Sequence, residues 1–312
     1  MPTTRTSGTP SLDAPLDRLA PLLPAPDREQ LAALRERQRR GRLRVPVAAE
    51  SKRGKSTLLH ALLGRDVLPA GVLPLTAVTT TVTAGERDQV EATFLDGRTE
   101  TYADLRTLSE LVTEVGNPHN ARQVARVVAR LRHPLLAAGL ELVDTPGTGS
   151  VYEHNSDEAR SAIQDMDLAV FITSAVPPVS ASERAFLHDV RDLAVRTLVV
   201  LSKIDLLEAE ELAAVAEFTS GTVGQALGRP VHVHALSARQ AQAARRSVDA
   251  DRLAASGLPD LERVLARAAA ERLDLLRASV AAQAARFAAA AAADAELTTR
   301  AAKLDAADLA RR

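Results

Sequence analysis

The residues best suited to chemistry follow an apolar run, where a glycine is succeeded by a lysine and a serine. Apolar residues at 43–48 and again at 58–63 predict a strand, a loop and a helix. Backbone N–H groups of such a loop, with the helix start, surround a β-phosphate. Lys55 is placed to reach the β- and γ-phosphates, and the Ser56 hydroxyl to bind Mg²⁺. The residues predicted to bind nucleotide here are Glu50, Ser51, Lys52, Arg53, Gly54, Lys55, Ser56 and Thr57.

Two residues depart from the usual phosphate-loop pattern. Ala49 stands where the signature has its first glycine, and Pro46 lies within what should be a central strand. A proline cannot donate a hydrogen bond to a strand ladder. Taken alone, this stretch therefore leaves a coincidental or decayed loop as an alternative.

A second motif follows the apolar residues 140–143, which end in Asp144 and a turn through Gly147. A carboxylate in this place holds Mg²⁺, here through a water, and the Gly147 N–H can meet a γ-phosphate. An ordinary strand-to-turn signal is the alternative interpretation. Two such elements in this order favour a triphosphate site, with Ser56 and Asp144 as predicted metal ligands.

A third motif identifies the base. The apolar residues 198–201 run into Ser202-Lys203-Ile204-Asp205. The Asp205 carboxylate can accept hydrogen bonds from the ring N–H and the exocyclic amine of guanine, and adenine has no such donor pair. The Lys203 stem would lie over the base, and Ser202 replaces the usual Asn or Thr. After the next apolar run, Ser237 and Ala238 fit a small-residue loop that backs the base. The predicted cofactors are therefore GTP or GDP with Mg²⁺.

Short apolar runs alternate with helical stretches, which is typical of a sheet with crossover helices. The predicted fold is α/β: a three-layer phosphate-loop GTPase domain with a mostly parallel sheet, flanked by helical segments. A chain of 312 residues has room for one such domain and a helical element. The predicted strands are 43–48, 80–83, 90–95, 127–131, 140–143, 168–172, 197–201 and 230–235.

The helical segments flank the sheet region. Residues 12–23 and 27–40 predict two helices; Asp27 and Gln30 have capping-box spacing, and Gly41 can end the second. From residue 257 an apolar helix stripe continues without a breaker and is expected to pack on those two helices. The predicted organisation is a tail at 1–11, helices at 12–42, a GTPase domain at 43–256 and one long helix at 257–312.

Composition excludes several classes of function. The net charge of −1 argues against nucleic acid as a partner, and the absence of cysteine excludes disulfides and thiolate chemistry. No apolar run is long enough to span a membrane and no secretory signal is visible, so a cytoplasmic location is expected.

An arginine cluster within residues 35–44 is a solvated helix face or a lipid or partner contact. His232 and His234 are ordinary strand positions or, alternatively, metal ligands.

Across residues 42–276 the chain resembles the bacterial dynamin-like GTPases. Further stretches beyond the nucleotide motifs carry this resemblance, and each is typical of that family. They are Lys52-Arg53, Leu68-Pro69, Pro74-Leu75-Thr76-Ala77, Gly147-Thr148-Gly149-Ser150 with His154-Asn155, and Pro177-Pro178 with Ser182-Glu183.

The resemblance implies GTP hydrolysis in which nucleotide-dependent pairing of GTPase domains drives membrane remodelling through helical neck segments. It makes Thr76 the switch threonine, which binds Mg²⁺ and positions the attacking water. It makes Lys52 the cation supplied on pairing, with Arg53 as the second candidate; the alternative is that both side chains only solvate an exposed loop. The implied catalytic residues are Lys52, Lys55, Thr76 and Gly147.

The partner would be a second copy or a related dynamin-like chain, with lipids reached only through regions missing or unclear here. Location at the inner face of the cell membrane is then expected. The departures at Ala49, Pro46 and Ser202 favour an alternative, a degenerate nucleotide-binding partner of an active relative.

Overall fold

A computed structural model describes residues 13–50, 52–68, 78–144, 168–191 and 196–309. By contacts between residues the chain divides into two units. One is Arg42–Leu275, and the other combines Met1–Gly41 with Leu276–Arg312, so far as these are described. The boundary between Leu275 and Leu276 lies C-terminal to residue 256, where the sequence analysis ends the GTPase domain.

One nine-stranded sheet forms the larger unit within the described residues, in the order β4-β3-β5-β2-β6-β1-β7-β8-β9. Its strands are β1 (Leu43–Ala49), β2 (Thr80–Ala84), β3 (Gln89–Phe94), β4 (Thr99–Tyr102), β5 (Val124–Leu131), β6 (Leu140–Asp144), β7 (Ala169–Ser174), β8 (Thr197–Ser202) and β9 (Val233–Ala235).

The five strands from β6 to β9 run parallel to one another. In register, Val47 of β1 is paired with Asp144 of β6 and with Val170 of β7. The carboxyl ends of these strands therefore share one edge of the sheet, where open α/β sheets bind ligands. The mostly parallel sheet predicted from the sequence is confirmed.

The edge of the sheet farthest from β9 is a strand, β4, that the sequence analysis did not predict. β4 pairs antiparallel with β3, with Val90 opposite Tyr102. Its residues Thr-Glu-Thr-Tyr are exposed or half-buried, and they do not form an apolar run. It is formed by a hairpin with β3 at the sheet edge, and hydrophobic patterning cannot detect such a strand.

Pro46 lies within β1, opposite Val143 of β6. The pairing of β1 with β7 begins one residue later, at Val47. The proline thus stands before the two-sided part of the strand, and its missing N–H removes no bond to β7.

Helices cover the sheet in two groups. The helices of this unit are α3 (Lys55–Leu63), α4 (Thr107–Val112), α5 (Pro134–Ala137), α6 (Ala181–Val190), α7 (Ala209–Leu227), α8 (Ala238–Ser247), α9 (Ala250–Ala255) and α10 (Leu258–Ala270). α6 and α7 pack together over Ala48, Phe171 and Val199, and α8 and α10 pack on α3. The predicted three-layer architecture is confirmed.

The second unit is helical, with α1 (Asp13–Leu19), α2 (Ala25–Arg40) and most of α11 (Arg272–Leu309). Leu16, Leu31 and Leu34 of the first two helices form a core with Val280 of α11. The predicted packing of the N-terminal helices on the C-terminal one is thus confirmed.

Three details of the helices differ from the sequence expectation. α2 begins after Pro24, without a side-chain cap, rather than at a capping box on Asp27. Arg37 belongs to the predicted solvated cluster, but it is buried and donates to the Ser279 hydroxyl at 3.2 Å. Residues 258–309 form two helices, because Glu271 has a φ of −87° and a ψ of 6°.

Within the described part of the chain, none of the helices is both long and apolar enough to cross a membrane.

Candidate functional site

The predicted phosphate loop lies between β1 and α3, at the carboxyl edge of the sheet. Gly54 precedes α3 with a φ of 100°, a left-handed conformation that favours glycine. Its carbonyl accepts the first helical hydrogen bond, from the Leu58 N–H at 2.8 Å. Lys52 also has a positive φ, 64°. Such alternation of backbone conformation before a helix N-terminus turns N–H groups toward one point, which is how an anion is cradled.

Ser202, at the end of β8, anchors this loop. Its hydroxyl donates to the backbone carbonyl of Arg53 at 2.6 Å, in a buried position. A Cβ added at Gly54 would lie 3.8 Å from the Ser202 oxygen, so the two segments are in close contact. The serine that replaces the usual Asn or Thr therefore still connects the base-binding strand to the phosphate loop.

Lys55 and Asp144 meet where β1 and β6 end. The Lys55 ammonium lies 3.0 Å from Asp144 Oδ1, and the two side chains are 8% and 6% exposed. The ammonium is thus the positive charge that faces Oδ1 in this buried position. A buried carboxylate is costly unless a cation pairs with it, so if Lys55 turns toward another anion, a second cation must take its place at Asp144.

These residues fit a Mg²⁺ ion. The Asp144 carboxylate offers a buried oxygen. Ser56, the residue after Lys55, is half-buried in the first turn of α3. Hydroxyl, carboxylate and water oxygens are the ligands that Mg²⁺ prefers. The two remaining residues of the predicted set, Thr76 and Gly147, lie outside the described residues, and so does Ser51.

Asp205 follows β8 and is the predicted reader of the base. Its side chain is 7% exposed, and both carboxylate oxygens have partners. Ser237 Oγ donates to Oδ1 at 2.6 Å, and Arg239 Nη2 donates to Oδ2 at 2.7 Å. The Arg239 side chain is 75% exposed, so this partner approaches from the solvent side. Lys203 lies between Ser202 and this turn, half-buried, with a φ of 60°.

The loop that backs the base position is held from behind. The N–H of Leu236 bonds to the Leu201 carbonyl at 2.9 Å, and the N–H of Ser237 bonds to the Ser256 carbonyl at 2.9 Å. Gly257 follows with a φ of 75°, and a side chain there would collide with the preceding loop. Ser237 and Ala238 are both buried at the start of α8. The base-side residues predicted from two separate stretches are therefore adjacent.

Arg53 makes the contacts that the sequence did not reveal. Its guanidinium is 8% exposed and donates to the Pro177 carbonyl at 2.8 Å. It also donates to the carboxylates of Glu50 at 3.0 Å and Glu183 at 3.1 Å. Glu183 begins α6 and is fully buried. A buried arginine between two carboxylates is a fixed structural cation, whereas the side chain of Lys52 is exposed.

The two carboxylates around Arg53 are tuned in opposite directions. Burial raises the pKa of Glu183, although the Ser180 N–H and the Arg53 charge oppose the shift. Burial also acts to raise the pKa of Glu50, but hydrogen bonds from Ser182, Ser180 and Arg53 outweigh it and lower that pKa. Glu50 therefore carries the more persistent negative charge beside the guanidinium.

The remaining site residue, Thr57, is half-buried in α3, and its carbonyl accepts from Gln242 Nε2 at 3.1 Å. His60, on the same helix, is buried, and its Nε2 lies 2.6 Å from the Leu68 carbonyl. The rings of His232 and His234 are 4.7 Å apart. No group of three metal-ligating side chains occurs among the described residues.

A family model described as the dynamin family matches residues 47–204, which span the phosphate loop, Asp144 and the start of the base-binding turn. The chain belongs to the dynamin family. The resemblance to bacterial dynamin-like GTPases is thus confirmed, and the phosphate loop and Asp144 lie within the matched residues.

Two proteins of similar sequence are longer than this chain. An uncharacterized protein in the xynA 3′ region of Caldicellulosiruptor sp. is 31% identical over 210 residues, covering 67% of this chain and 52% of that protein. The bacterial dynamin-like protein of Nostoc punctiforme is 29% identical over 174 residues, 52% of this chain and 25% of that protein. The chain spans about half or less of the length of these relatives.

The fold agrees with that of solved dynamins. A chain of an oligomerised bacterial dynamin pair superposes with a TM-score of 0.59 at 17% identity, covering 96% of this chain and 48% of that chain. At this identity the likeness concerns the fold alone.

The sequence indicated the residues of motifs with fixed spacing, but it gave little indication of the residues that hold them in place. Arg239 follows Ser237 and Ala238 directly and could have been found as a cation next to the base loop. Glu183 and Ser180 have a capping-box spacing, which accounts for the start of α6. Nothing in that spacing indicates a bond to Arg53, 130 residues away.

Proposed function

We propose that this chain binds GTP and GDP with Mg²⁺ at the carboxyl edge of its sheet and hydrolyses GTP. The observation that carries the proposal is the convergence of three charged groups on that edge. Lys55, which begins the helix after β1, is paired with Asp144 at the end of the adjacent strand β6, and both are buried. The buried Asp205 carboxylate follows a third strand, β8. In a dynamin-family domain these are the groups that contact phosphates, metal and base.

On binding, the loop N–H groups and the start of α3 receive the β-phosphate. Lys55 leaves its contact with Asp144 for the β- and γ-phosphate oxygens, which frees the Asp144 carboxylate toward the metal. Ser56 and Asp144 would hold Mg²⁺, which would supply positive charge against the phosphates as the bond breaks. Thr76 would add a ligand and position the attacking water, and the Gly147 N–H would meet the γ-phosphate.

On the base side, Asp205 accepts from the ring N–H and the amine of guanine. Ser237 holds the carboxylate in place at 2.6 Å, and the Lys203 stem lies over the base plane. A charged hydrogen-bond pair of this kind is worth about 2–3 kcal/mol, so guanine is selected over adenine by at least about 30-fold.

Hydrolysis also needs positive charge near the bridging oxygen. We propose that Lys52 supplies this charge when two GTPase domains pair. The contrast between neighbours supports Lys52 over Arg53: Lys52 is exposed, and Arg53 is buried between two carboxylates. The pairing partner would be a second copy of this chain or a related dynamin-like chain.

For the whole protein, we propose that nucleotide-dependent pairing is coupled to membrane remodelling, at the inner face of the cell membrane. Family membership supports this, and so does the similarity of the fold to an oligomerised bacterial dynamin pair. The flanking helices α1, α2 and α11 would act as the neck that passes the motion on. No nucleic acid is involved.

The alternative is a degenerate nucleotide-binding partner of an active relative. Ala49 carries this alternative, because it is buried at the end of β1 where phosphate loops have a glycine. Ser202 no longer supports it, since its hydroxyl makes the bond that ties the base strand to the loop.

Nucleotide titration tests the binding proposal. Nucleotide-free protein is loaded with a fluorescent GDP, which is then displaced by GTP, GDP or ATP, with and without Mg²⁺. We expect GTP and GDP to displace it at similar concentrations, and ATP to need at least about 30-fold more. Equal displacement by ATP would contradict the base assignment, and failure of GTP and GDP to displace would contradict the site as a whole.

A further inference from the structure

Buried charged side chains join Arg53 of the phosphate loop to residues 173–183, which are distant in the sequence. Arg53 Nη2 lies 3.0 Å from Glu50 Oε2 and 3.1 Å from Glu183 Oε2, and Nη1 donates to the Pro177 carbonyl at 2.8 Å. Glu183 Oε2 also accepts from Thr173 Oγ1 at 3.1 Å and from a backbone N–H at 2.8 Å. One side chain of the loop is thus fixed to the end of β7, the following loop and the start of α6.

A second set of contacts fixes the other end of the same loop. Glu50 Oε1 accepts from the Ser180 hydroxyl at 2.8 Å and also from the Ser182 hydroxyl. These serines begin α6, beside Glu183. Residues 50 and 53 are therefore both held by the 173–183 segment, and the Ser202 hydroxyl holds the backbone of residue 53 from the other side.

Lys52 lies between these two fixed points. Its φ of 64° is a conformation that a non-glycine residue rarely adopts without support. Its side chain is exposed, while the adjacent Arg53 is buried. A loop fixed on both sides can hold a strained residue with its side chain turned outward.

A role in stability alone is a poor account of this network. Replacing a buried ion pair by apolar residues of similar volume is often neutral or stabilising, so such pairs are weak evidence for stability. A guanidinium bound in three directions instead specifies one geometry, which an apolar contact does not. The network therefore fits a need for one loop conformation.

We propose that Arg53, held by Glu183 and Glu50, is a positioning residue that fixes the phosphate loop on both sides of Lys52 and so sets where the Lys52 ammonium is presented during hydrolysis. The inference rests on the proposed function, in which Lys52 supplies the catalytic charge. It adds a device within the same chain that acts through Lys52 and not on the nucleotide.

A double-mutant cycle tests the inference. Glu183→Gln keeps the size of the side chain and removes the charge that holds Arg53. We expect it to lower kcat by about fivefold or more, with the KM for GTP and the affinity for GDP within about twofold of the parent. In a Lys52→Ala background it should lower kcat no further, since residues that act as one unit are non-additive. Equal losses in both backgrounds would overturn the proposal.

Glu91→Gln is the matched control. Glu91 pairs with Arg130 at 3.3 Å on β3, far along the sheet order from the phosphate loop. It loses the same charge in the same way, so its kcat should equal that of the parent. A loss in Glu91→Gln as large as that in Glu183→Gln would show that any broken ion pair has this effect, and would overturn the proposal.

Amide hydrogen exchange provides a readout that does not depend on turnover. In Glu183→Gln without nucleotide, peptides covering residues 50–54 should exchange faster, while those of β8 and α7 stay protected as in the parent. Unchanged exchange at 50–54 would overturn the positioning role even if kcat falls. Absence of GTP turnover in the parent would instead contradict the proposed function, and the exchange result would still decide whether Glu183 holds the loop.

Discussion

The phosphate side and the base side of the candidate site are built in different ways. On the phosphate side, buried charges from separate elements hold one another: Lys55 with Asp144, and Arg53 with Glu50 and Glu183. On the base side one buried carboxylate, Asp205, is met by an exposed arginine and a serine hydroxyl. The loop that contacts phosphate is thus fixed from several directions, whereas the base position depends mainly on the partners of a single side chain.

This difference assigns different tasks to the two sides. Fixed charges suit a step in which charge develops at a defined point, because preorganised groups need no reorganisation when the bond breaks. A carboxylate with a solvent-facing partner suits selection, because guanine can take over one of its acceptor sites. Substitutions on the phosphate side should therefore affect turnover, and they should affect binding as well where the side chain contacts the phosphates or the metal. Substitutions on the base side should change which nucleotide binds.

The largest effect is expected at the pair of residues that face phosphate and metal. Lys55→Ala or Ser56→Asn should abolish tight Mg·GTP binding, because both side chains are predicted to contact the ligand. Lys55→Ala also leaves the buried Asp144 carboxylate unpaired, which lowers stability. Ser56→Asn leaves the Lys55–Asp144 contact in place, so it separates loss of ligand from loss of a buried pair. Fluorescent-nucleotide binding alongside circular dichroism measures both. Parental affinity in both variants would refute the phosphate-loop assignment.

On the base side, Asp205→Asn replaces one acceptor by a donor. Guanine affinity should fall by at least about 30-fold, which corresponds to about 2–3 kcal/mol or more, and xanthine nucleotides should be gained. Competition between GTP and xanthosine triphosphate for a fluorescent GDP measures the exchange in preference. A variant that still binds GTP like the parent would show that the base is read elsewhere.

Lys52→Ala addresses turnover without binding. We expect turnover at high protein concentration to fall by about tenfold or more, over about 1.4 kcal/mol of barrier, with little change in GTP affinity. The same experiment requires the specific activity of the parent to rise with protein concentration, because Lys52 acts on pairing. Activity that is flat in concentration and indifferent to the substitution would rule out this role.

The smallest effect is expected at Arg239, which shares Asp205 with the base. Arg239→Ala removes a partner whose side chain is 75% exposed, and exposed pairs contribute about 0.2–1 kcal/mol. Guanine affinity should therefore rise by about 1.4-fold to fivefold, since the base no longer competes with the guanidinium. Arg263, equally exposed and paired with Asp260, is the matched control and should leave affinity unchanged. A fall in affinity for Arg239→Ala would mean that the arginine assists the base.

Much of the sheet and the chemical groups of the site could be predicted from the sequence, because both follow short-range patterns. Apolar runs locate β1, β6 and β8, and the polar residues that follow each run, such as Asp144 and Asp205, then share one edge. The parallel arrangement follows from the intervening helical stretches. Ala49 could be recognised as a departure, although its effect on phosphate binding stays a prediction.

The supports of the site could not be predicted, because they depend on contacts between distant segments. Arg53 and Glu183 are 130 residues apart, and nothing local distinguishes a buried guanidinium from the exposed Lys52 beside it. β4 was missed because an edge strand of Thr, Glu and Tyr has no apolar run. The end of α10 at Glu271 was missed because neither glycine nor proline marks it.

Multiple-turnover phosphate release from GTP is the most direct test of the central claim that this chain is a working GTPase. The chain is assayed over a range of protein concentrations with Mg²⁺, with ATP in parallel and Lys55→Ala as the blank. The account predicts repeated turnover of GTP, little release from ATP, a specific activity that rises with protein concentration, and none in the blank. The contradicting result is binding of GTP with phosphate release no greater than that of the blank at every protein concentration. That result would favour the degenerate partner.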